Sequence, residues 1–287
     1  MQNLIFTNER GQSIKLKNSG PFLLQKFDPD PPKTTMLTTK APGQDGKTVQ
    51  GVLLDERVLS IQVAVLGDNS QDMFVRKKQL NSAFNPKLEG TLFYSNGSGE
   101  YIIKCRVNSV TPKDRHEPVQ QFLIQLDCFN PFWMDVQESK EEIALWVGDF
   151  HFPLIIPPDG ITMGHRISNL IVNVCNKGDV ECGMRIEFTA LATVVNPSLF
   201  NVYTRKFIKV RRTLQAGDKL NINTSFANKR VEIVKSNGTV TNVFNWIDLQ
   251  TTFLQLAVGD NLLRYDAEKG LDNLEMAVYY RPLYVGV

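Results

Sequence analysis

Apolar and polar residues alternate in short runs along most of this chain. In the run VLSIQVAVLG, the side chains of Leu59, Ile61, Val63 and Val65 fall on one side of an extended backbone. Successive side chains of a β-strand point to opposite faces, so a period of two predicts strands with one buried face. A chain patterned in this way is predicted to be mainly β. The same alternation recurs in five later runs: Tyr101, Ile103, Cys105 and Val107; Phe122, Ile124, Leu126 and Cys128; Met184, Ile186, Phe188 and Ala190; Leu220, Ile222 and Thr224; and Leu274, Met276, Val278 and Tyr280.

Turn sequences separate several of these runs. The sequence NGSG at residues 96–99 lies between two strand-like runs and predicts a hairpin. Asn237 and Gly238 form a two-residue hairpin signal of the same kind in the second half of the chain. Short strands at this spacing, with little helical pattern elsewhere, favour a β-sandwich.

One segment has helical rather than strand-like spacing. A polar residue among positions 68–70 can cap a helix, and Pro86 ends it. The basic residues at 76–78 lie beside the apolar face and are interpreted as a solvated flank whose stems cover apolar surface. Three apolar residues share one narrow face of this helix: Met73, Leu80 and Phe84.

The composition of the sequence changes after Trp133. The stretch MDVQESKEE is polar and charged, and the stretch FPLIIPPDG that follows soon after contains three prolines. A chain of 287 residues has the length of two domains. We therefore predict an N-terminal β-rich domain with one helix over residues 1–138, a C-terminal β-sandwich over 139–287, and a linker at about 135–160.

Charge and cysteine content exclude some classes of protein. Lys and Arg number 32 against 30 Asp and Glu, which gives no indication of a nucleic-acid partner or an anionic membrane surface. The sequence predicts neither a signal peptide nor a membrane-spanning helix, and hence folding in a cytoplasm. Free thiols are expected there, although a bridge between Cys175 and Cys182 across the turn CNKGDVEC stays open. The remaining cysteines, Cys105 and Cys128, are predicted to be small core residues.

The segment APGQDGKT, residues 41–48, fits a loose phosphate-loop pattern. That mechanism requires a helix directly after the loop, because the helix N-terminus binds the phosphates. The sequence after Lys47 is β-patterned instead. We therefore interpret the segment as a connection between two strands, in which Gly43 and Gly46 permit positive φ.

No other motif assembles a catalytic, cofactor or metal site. Three isolated histidines have no ligand or base partner at a suitable spacing: His116, His151 and His165. Asp28 and Asp30 supply too few oxygens for calcium. A tryptophan could stack on a sugar ring, but single tryptophans in β-domains are interpreted as core residues: Trp133, Trp146 and Trp246. The chain is predicted not to be an enzyme.

Taken together in order, a set of short motifs resembles the distal tail proteins of long, non-contractile-tailed phages of Gram-positive bacteria. In the first half the resemblance rests on GQDG followed by Arg57, the helix with Arg76, Leu80 and Pro86, Gly90 with the strands after it, and CFNPFW at 128–133. In the second half it rests on NKGDVECGMRIEF, Asn196-Pro197, AGD at 216–218, VGDN at 258–261 and the closing YRPLYVGV.

The resemblance implies a structural phage tail protein that forms a hexameric ring at the distal end of the tail tube. The ring would join the tube to the tail-tip hub and receptor-binding baseplate, and DNA would pass through its centre without sequence-specific binding. The implied location is the virion tail, assembled in the bacterial host cytoplasm. Within the first domain, the Thr- and Gly-rich segment from about Pro32 to Arg57 has too few apolar residues to fold back on itself. We expect it to reach across to the adjacent subunit and to order there.

The resemblance also implies a galectin-like C-terminal sandwich. Galectins bind sugar through a His-x-Asn-Pro-Arg motif and a tryptophan, whereas here Val194 stands at the His position and Ser198 at the Arg position. We expect at most weak sugar affinity from such a domain. The alternative function is a carbohydrate- or receptor-binding tail module that uses this sandwich.

Overall fold

A computed structural model describes residues 2–29, 31–116, 118–142, 145–147, 165–167 and 170–287, with backbone only for 145–147 and 165–167. The chain forms two compact units: one runs to Val136 and includes Leu283–Val287, and the other spans Gln137–Pro282. Both are built of antiparallel strands, which confirms the mainly β prediction. Within the described ranges, no helix has the length and apolarity needed to cross a membrane.

The first unit is a nine-stranded sheet with one helix and a separate two-stranded hairpin. Its strands up to the boundary are β1 (Asn3–Asn8), β2 (Ser13–Leu16), β3 (Phe22–Phe27), β4 (Thr34–Thr39), β5 (Thr48–Leu54), β6 (Arg57–Leu66), β7 (Glu89–Ser95), β8 (Glu100–His116), β9 (Val119–Cys128) and β10 (Trp133–Asp135). The main path of the sheet runs β2-β1-β7-β8-β9-β6-β3, and β10 pairs with β8. The predicted hairpin at residues 96–99 joins β7 to β8.

The predicted alternation is observed in this sheet. Leu59, Ile61, Val63 and Val65 of β6 are fully buried, and they pair with the equally buried run of β9. Cys105 and Cys128 lie in the same core, as expected for small apolar-like residues. Burial of one face of the long strands of the main sheet builds the core of the first unit.

The predicted helix is α1, Ser70–Ala83. The side chain of Asn69 caps it by accepting a hydrogen bond from the backbone N–H of Asp72 at 2.9 Å. Phe84 stacks on Phe6 of β1 with ring centroids 4.2 Å apart. A Cβ at Gly90, on the neighbouring strand, would lie 2.4 Å from the Phe6 ring, so only glycine leaves room for this contact. The apolar face predicted for the helix is buried: Met73, Leu80 and Phe84.

The second unit contains the strands from β11 to β23. They are β11 (Ser139–Glu142), β12 (Leu145–Val147), β13 (His165–Ile167), β14 (Ile171–Asn176), β15 (Met184–Ala190), β16 (Val194–Asn201), β17 (Phe207–Lys209), β18 (Thr213–Leu214), β19 (Lys219–Asn223), β20 (Arg230–Val234), β21 (Val240–Asn242), β22 (Gly259–Lys269) and β23 (Leu274–Tyr280). Short 3₁₀ turns lie at Phe244–Trp246 and Leu271–Asn273.

Two sheets with alternating burial make the sandwich of this unit. One has the order β11-β23-β15-β19-β20-β21, and the other has β14-β22-β16-β17 with β18 beside β16. A small additional sheet pairs β12 with β13. The hairpin predicted at Asn237 and Gly238 joins β20 to β21. The phenol of Tyr280, in the first sheet, donates to the carbonyl of Cys175 in the second at 3.0 Å.

The chain passes from one unit to the other between Val136 and Gln137, within the stretch for which the sequence predicted a linker at about 135–160. Residues 133–135 and 139–142 are paired strands on either side of that point, and most of the rest of the stretch lies outside the described residues. The last five residues differ from the expected division, since they lie with the first unit. There β24 (Leu283–Tyr284) pairs with β10.

Candidate assembly site

The segment between β3 and β6 forms a hairpin that stands apart from the main sheet of its unit. β4 pairs with β5 from Thr34 opposite Leu54 to Thr39 opposite Thr48, and neither strand pairs with any other described strand. The prediction that this segment does not fold back on itself is therefore wrong, because backbone hydrogen bonds rather than a buried face define the pairing.

Both faces of the β4–β5 hairpin carry exposed apolar side chains. Neighbouring residues of a strand point to opposite faces, and the apolar residues here occur as neighbours on each strand. None of the residues from 33 to 56 is buried in the chain as described. The exposed apolar side chains, with their exposed fractions, are Met36 (62%), Leu37 (48%), Val49 (54%), Val52 (56%) and Leu53 (55%).

The base of the hairpin is anchored in the first unit, whereas the rest of the hairpin is exposed. Pro32 and Arg57, which flank it, are both buried. The backbone N–H of Asp55 donates to the carbonyl of Lys33 at 2.8 Å, and the hydroxyl of Thr35 donates to the Asp55 carboxylate at 2.7 Å. An isolated two-stranded hairpin is marginally stable in water. An apolar hairpin with a fixed base is therefore suited to being covered by another surface.

Arg57 is the buried anchor at the start of β6. Its side chain is fully buried, and its Nε donates to the carbonyl of Pro131 at 2.8 Å. Its Nη2 donates to the carbonyl of Val285 at 2.5 Å. The guanidinium therefore ties three distant segments together: the end of the hairpin, the CFNPFW stretch and the C-terminus. These are residues on which the resemblance to tail proteins rested.

The loop at 41–48 lies at the tip of the hairpin, as expected for a connection between strands. Gly43 and Gly46 have φ of +78° and +79°, which side chains rarely adopt. Gln44 braces the loop by accepting from the backbone N–H of Ala41 at 3.1 Å and donating to the hydroxyl of Thr48 at 3.0 Å. Residue 48 begins β5 rather than a helix, so Lys47 has no helix N-terminus beside it.

Other residues considered for chemistry lie apart from one another. Within the described part of the chain, no three His, Cys, Asp or Glu side chains are grouped so as to hold a metal. His116 is exposed at the end of β8, and Asp28 pairs with Lys26 at 3.9 Å. Asp30, His151 and the side chains of His165 and Trp146 lie outside the described residues.

All four cysteines are free thiols: Cys105, Cys128, Cys175 and Cys182. A hydrogen bond with Cys128, together with burial, raises the pKa of the Cys105 thiol. Burial and the nearby Glu181 carboxylate raise the pKa of Cys182 to about 12. Raised pKa values disfavour the thiolate, so these two thiols are poor nucleophiles and poor metal ligands.

Two of the tryptophans, Trp133 and Trp246, and the galectin-motif positions lie among the described residues. Trp133 is buried beside Tyr94, with ring centroids 5.7 Å apart, whereas Trp246 is 41% exposed. Asn196 takes a left-handed φ of 54°, and its amide donates to the carboxylate of Glu268 at 2.7 Å. Val194, at the histidine position of the motif, is buried.

The apolar character of the β4–β5 hairpin was not predicted from the sequence. The neighbouring pairs Met36-Leu37 and Val52-Leu53 interrupt alternation, and that interruption was the available sign of a strand with two apolar faces. A search for alternating apolar and polar residues does not detect such a strand, because a strand with two apolar faces lacks the period of two.

Two family models match the chain. Residues 9–128 match the phage tail protein RIFT-related domain, and residues 177–284 match the C-terminal domain of the siphovirus-type tail component. Together they cover well over half of the chain. No curated protein is similar enough to count as a match.

Solved structures show the same fold at low sequence identity. The chain is similar to the Dit protein (gp 19.1) of phage SPP1, described as a paradigm of the hub adsorption apparatus in Gram-positive-infecting phages, with a TM-score of 0.71, 15% identity and 98% of each chain covered. It is also similar to a chain of the phage p2 baseplate in its activated conformation with Ca, with a TM-score of 0.57, 13% identity, and 100% of this chain and 99% of that chain covered.

Proposed function

Because the chain belongs to the siphophage distal tail protein family, we propose that it forms a hexameric ring at the distal end of the phage tail tube. The ring joins the tube to the tail-tip hub and receptor-binding baseplate. The chain is thus a structural component of the virion tail. The solved structures with the same fold are described as a hub protein and as part of a baseplate, which supports this role.

The observation that carries the proposal is the exposed β4–β5 hairpin. Five apolar side chains between Met36 and Leu53 are about half exposed or more. Fully burying one such side chain contributes roughly 1.5–3 kcal/mol. Covering the hairpin with a neighbouring subunit recovers part of that free energy at each of several side chains, so ring closure is favoured.

Ring closure with one kind of chain uses a head-to-tail interface, in which one surface meets a different surface on the next subunit. The hairpin fits the donor side of such an interface, because its base is fixed in its own unit and its length is uncovered. On this account it reaches the adjacent subunit as a preformed hairpin rather than as an unpaired segment that orders on contact.

The partners follow from the position of the ring. They are five further copies of the chain, the tail tube protein on one side, and the tail-tip hub protein on the other, with a receptor-binding protein attached farther out. DNA crosses the centre of the ring without sequence-specific contacts. Assembly takes place in the host cytoplasm, and the role is structural rather than enzymatic.

Substitution of one hairpin side chain tests the interface. Val52→Asp places a charge where an apolar contact is expected, and we expect it to abolish rings in native mass spectrometry of the concentrated full chain. Val240→Asp is the matched control, since both valines are exposed in strands, at 56% and 58%, and Val240 lies in the second unit. Circular dichroism verifies that each variant is folded.

The result that contradicts the role of the hairpin is ring formation by Val52→Asp to the same extent as by the wild type. Loss of rings in both variants contradicts it equally, because the effect would then follow charge and not position. If the full chain requires the tube as a template, the same pair of variants is compared for incorporation into tails.

A further inference from the structure

The helix α1 carries two apolar side chains on its outward face. Phe74 is 50% exposed and Val75 is 62% exposed, although the outward face of a surface helix is normally polar. Gln71 and Lys78 are exposed on the same face, at helical spacings of three and four residues. These four residues are called the Phe74–Val75 surface. Its two apolar side chains contribute little to the core of their own unit, so contact with another surface would account for them.

The Phe74–Val75 surface is held in place by contacts with the main sheet. The guanidinium of Arg76 donates to the carbonyl of Leu66, the last residue of β6, at 2.8 Å. From the end of β8, the guanidinium of Arg115 lies over the Phe74 ring, 5.0 Å from its centroid. A surface that is already ordered loses little conformational entropy on binding, which suits it to receive a partner.

Strand β6 separates this surface from the β4–β5 hairpin. The hairpin leads into β6 at Arg57, and α1 begins at Ser70, shortly after β6 ends at Leu66. Strands rise about 3.3 Å per residue, so the ten residues of β6 span roughly 30 Å. The hairpin base and the start of α1 therefore lie at opposite ends of this strand. A head-to-tail contact requires two different surfaces on each chain, and this separation provides them.

The other exposed apolar side chains of the first unit lie at the end that carries the hairpin. Val58 directly follows Arg57, and Phe129 directly follows Cys128, which pairs with Arg57 in the β6–β9 register. Only α1 then offers exposed apolar side chains at the far end of β6. Outside the hairpin, the large apolar side chains exposed in the described part of the first unit are Val58 (37%), Phe74, Val75 and Phe129 (66%).

Strand register gathers three apolar residues of the hairpin on one face. Met36 lies opposite Val52, and Thr38 lies opposite Val49, and residues directly opposite each other share a face. A shift of register between these two pairs leaves Gln50 as the extra residue of a bulge. Without that shift, Val49 and Val52 would point to opposite faces, since they are three residues apart. The face with Met36, Val49 and Val52 is called the docking face.

Neither surface has an unpaired charge at its centre. The strands 34–39 and 48–54 contain no charged residue, and the charges of the hairpin lie only at its tip and its base. On α1, Arg76 pairs with Asp72 at 2.7 Å, which leaves Lys78 at the edge of the apolar pair. Burial of an unpaired charge is costly. The two surfaces can be joined without that cost.

We propose that the Phe74–Val75 surface of one copy receives the docking face of the β4–β5 hairpin from the adjacent copy. This inference rests on the proposed ring and adds the receiving side of its interface. A standard interface takes roughly 20–30 residues from each side. The stretch 33–56 has that size, and the exposed end of β8, residues 111–116, extends the receiving side beside α1. Each copy then inserts a hairpin at one end and receives one at the other, as ring closure requires.

Mixing two ring-defective variants of the full chain tests this pairing. Val52→Asp damages the docking face and Val75→Asp damages the receiving surface, so each should stay monomeric in native mass spectrometry at high concentration. Their mixture keeps one intact interface, between the hairpin of Val75→Asp and the helix of Val52→Asp. We therefore expect heterodimers of one copy each, identified by isotope labelling of one variant, and no rings.

A mixture of Val75→Asp with Phe74→Asp is the matched control, because both changes lie on the receiving surface, and it should stay monomeric. Circular dichroism verifies that every variant is folded. Ring formation by Val75→Asp to the extent of the wild type overturns the inference and leaves the proposed ring intact. Heterodimers in both mixtures, or in neither, overturn it as well.

Cysteine pairs read the same contact in assembled tails, where the tube is present as a template. Val49→Cys combined with Val75→Cys should be linked between copies by a short bis-maleimide, which gives covalent oligomers on denaturing gels. Val240→Cys combined with Val75→Cys is the control, since Val49 and Val240 are 54% and 58% exposed and Val240 lies in the second unit. Equal linkage in the control, or linkage of Val49→Cys to the tube protein instead of another copy, overturns the inference. Absence of wild-type rings both in solution and in tails would instead refute the proposed function.

Discussion

At residue 57 a guanidinium occupies a core position of the first unit. Arg57 lies opposite Cys128 in the β6–β9 register, and its side chain extends to the carbonyls of Pro131 and Val285. A buried charge is costly unless it is hydrogen-bonded. Here charge-assisted hydrogen bonds to backbone carbonyls offset that cost, and they connect segments far apart in sequence.

Replacement of Arg57 by Ala should lower the free energy of unfolding by about 3 kcal/mol, because each hydrogen bond from a charged group contributes about 1.5–3 kcal/mol. Urea unfolding measures the change. Arg106→Ala is the control: Arg106 is half-exposed and pairs with Glu89 at 2.6 Å, so its loss should cost less than about 1 kcal/mol. Equal decreases in the free energy of unfolding for the two variants would contradict this role of Arg57.

At the scale of elements, the strands and the helix were predictable because their signals are local. The alternation of residues such as Leu59 and Ile61 is visible within one strand, and it indicates that strand's buried face. The cap at Asn69 likewise depends only on residues of its own helix. The β4–β5 pairing lacked this kind of signal, since neither of its faces is buried in the chain.

The cap of α1 gives a prediction at this scale. Asn69→Ala removes the side-chain acceptor for the N–H of Asp72 and should cost about 1 kcal/mol of stability. Asn69→Asp keeps an acceptor and adds a negative charge at the helix N-terminus, so it should retain wild-type stability. Urea unfolding of both variants tests the cap, and equal destabilisation by Ala and Asp would contradict it.

At the scale of the whole molecule, the return of the C-terminus completes the first unit. β24 pairs with β10, and Tyr284 packs edge-on against Tyr101 with ring centroids 5.5 Å apart. Its hydroxyl also donates to the carboxylate of Asp135 at 3.3 Å. The sequence places these last residues in the second domain, because a non-local strand pairing such as β24 with β10 produces no periodic pattern in the sequence.

Removal of Leu283–Val287 should therefore destabilise the first unit rather than the second. The truncation deletes an acceptor of Arg57 and the β24 strand, and we expect a loss of more than about 2 kcal/mol. Hydrogen exchange read out by mass spectrometry locates the effect. Faster exchange in β6, β9 and β10, with unchanged exchange in β19 and β20, is the expected pattern, and the reverse pattern would contradict this assignment of the C-terminus.

Ring closure at the end of the tail tube is the role proposed for this chain. Cryo-electron microscopy of tail tips from phage particles would show such a ring, with the chain located by a tag on the second unit. We expect density for the chain at the tube end with sixfold or threefold symmetry, and the β4–β5 hairpin of each copy lying against its neighbour. Absence of the chain from the tube end, or its presence there in any other symmetry, would rule out this role.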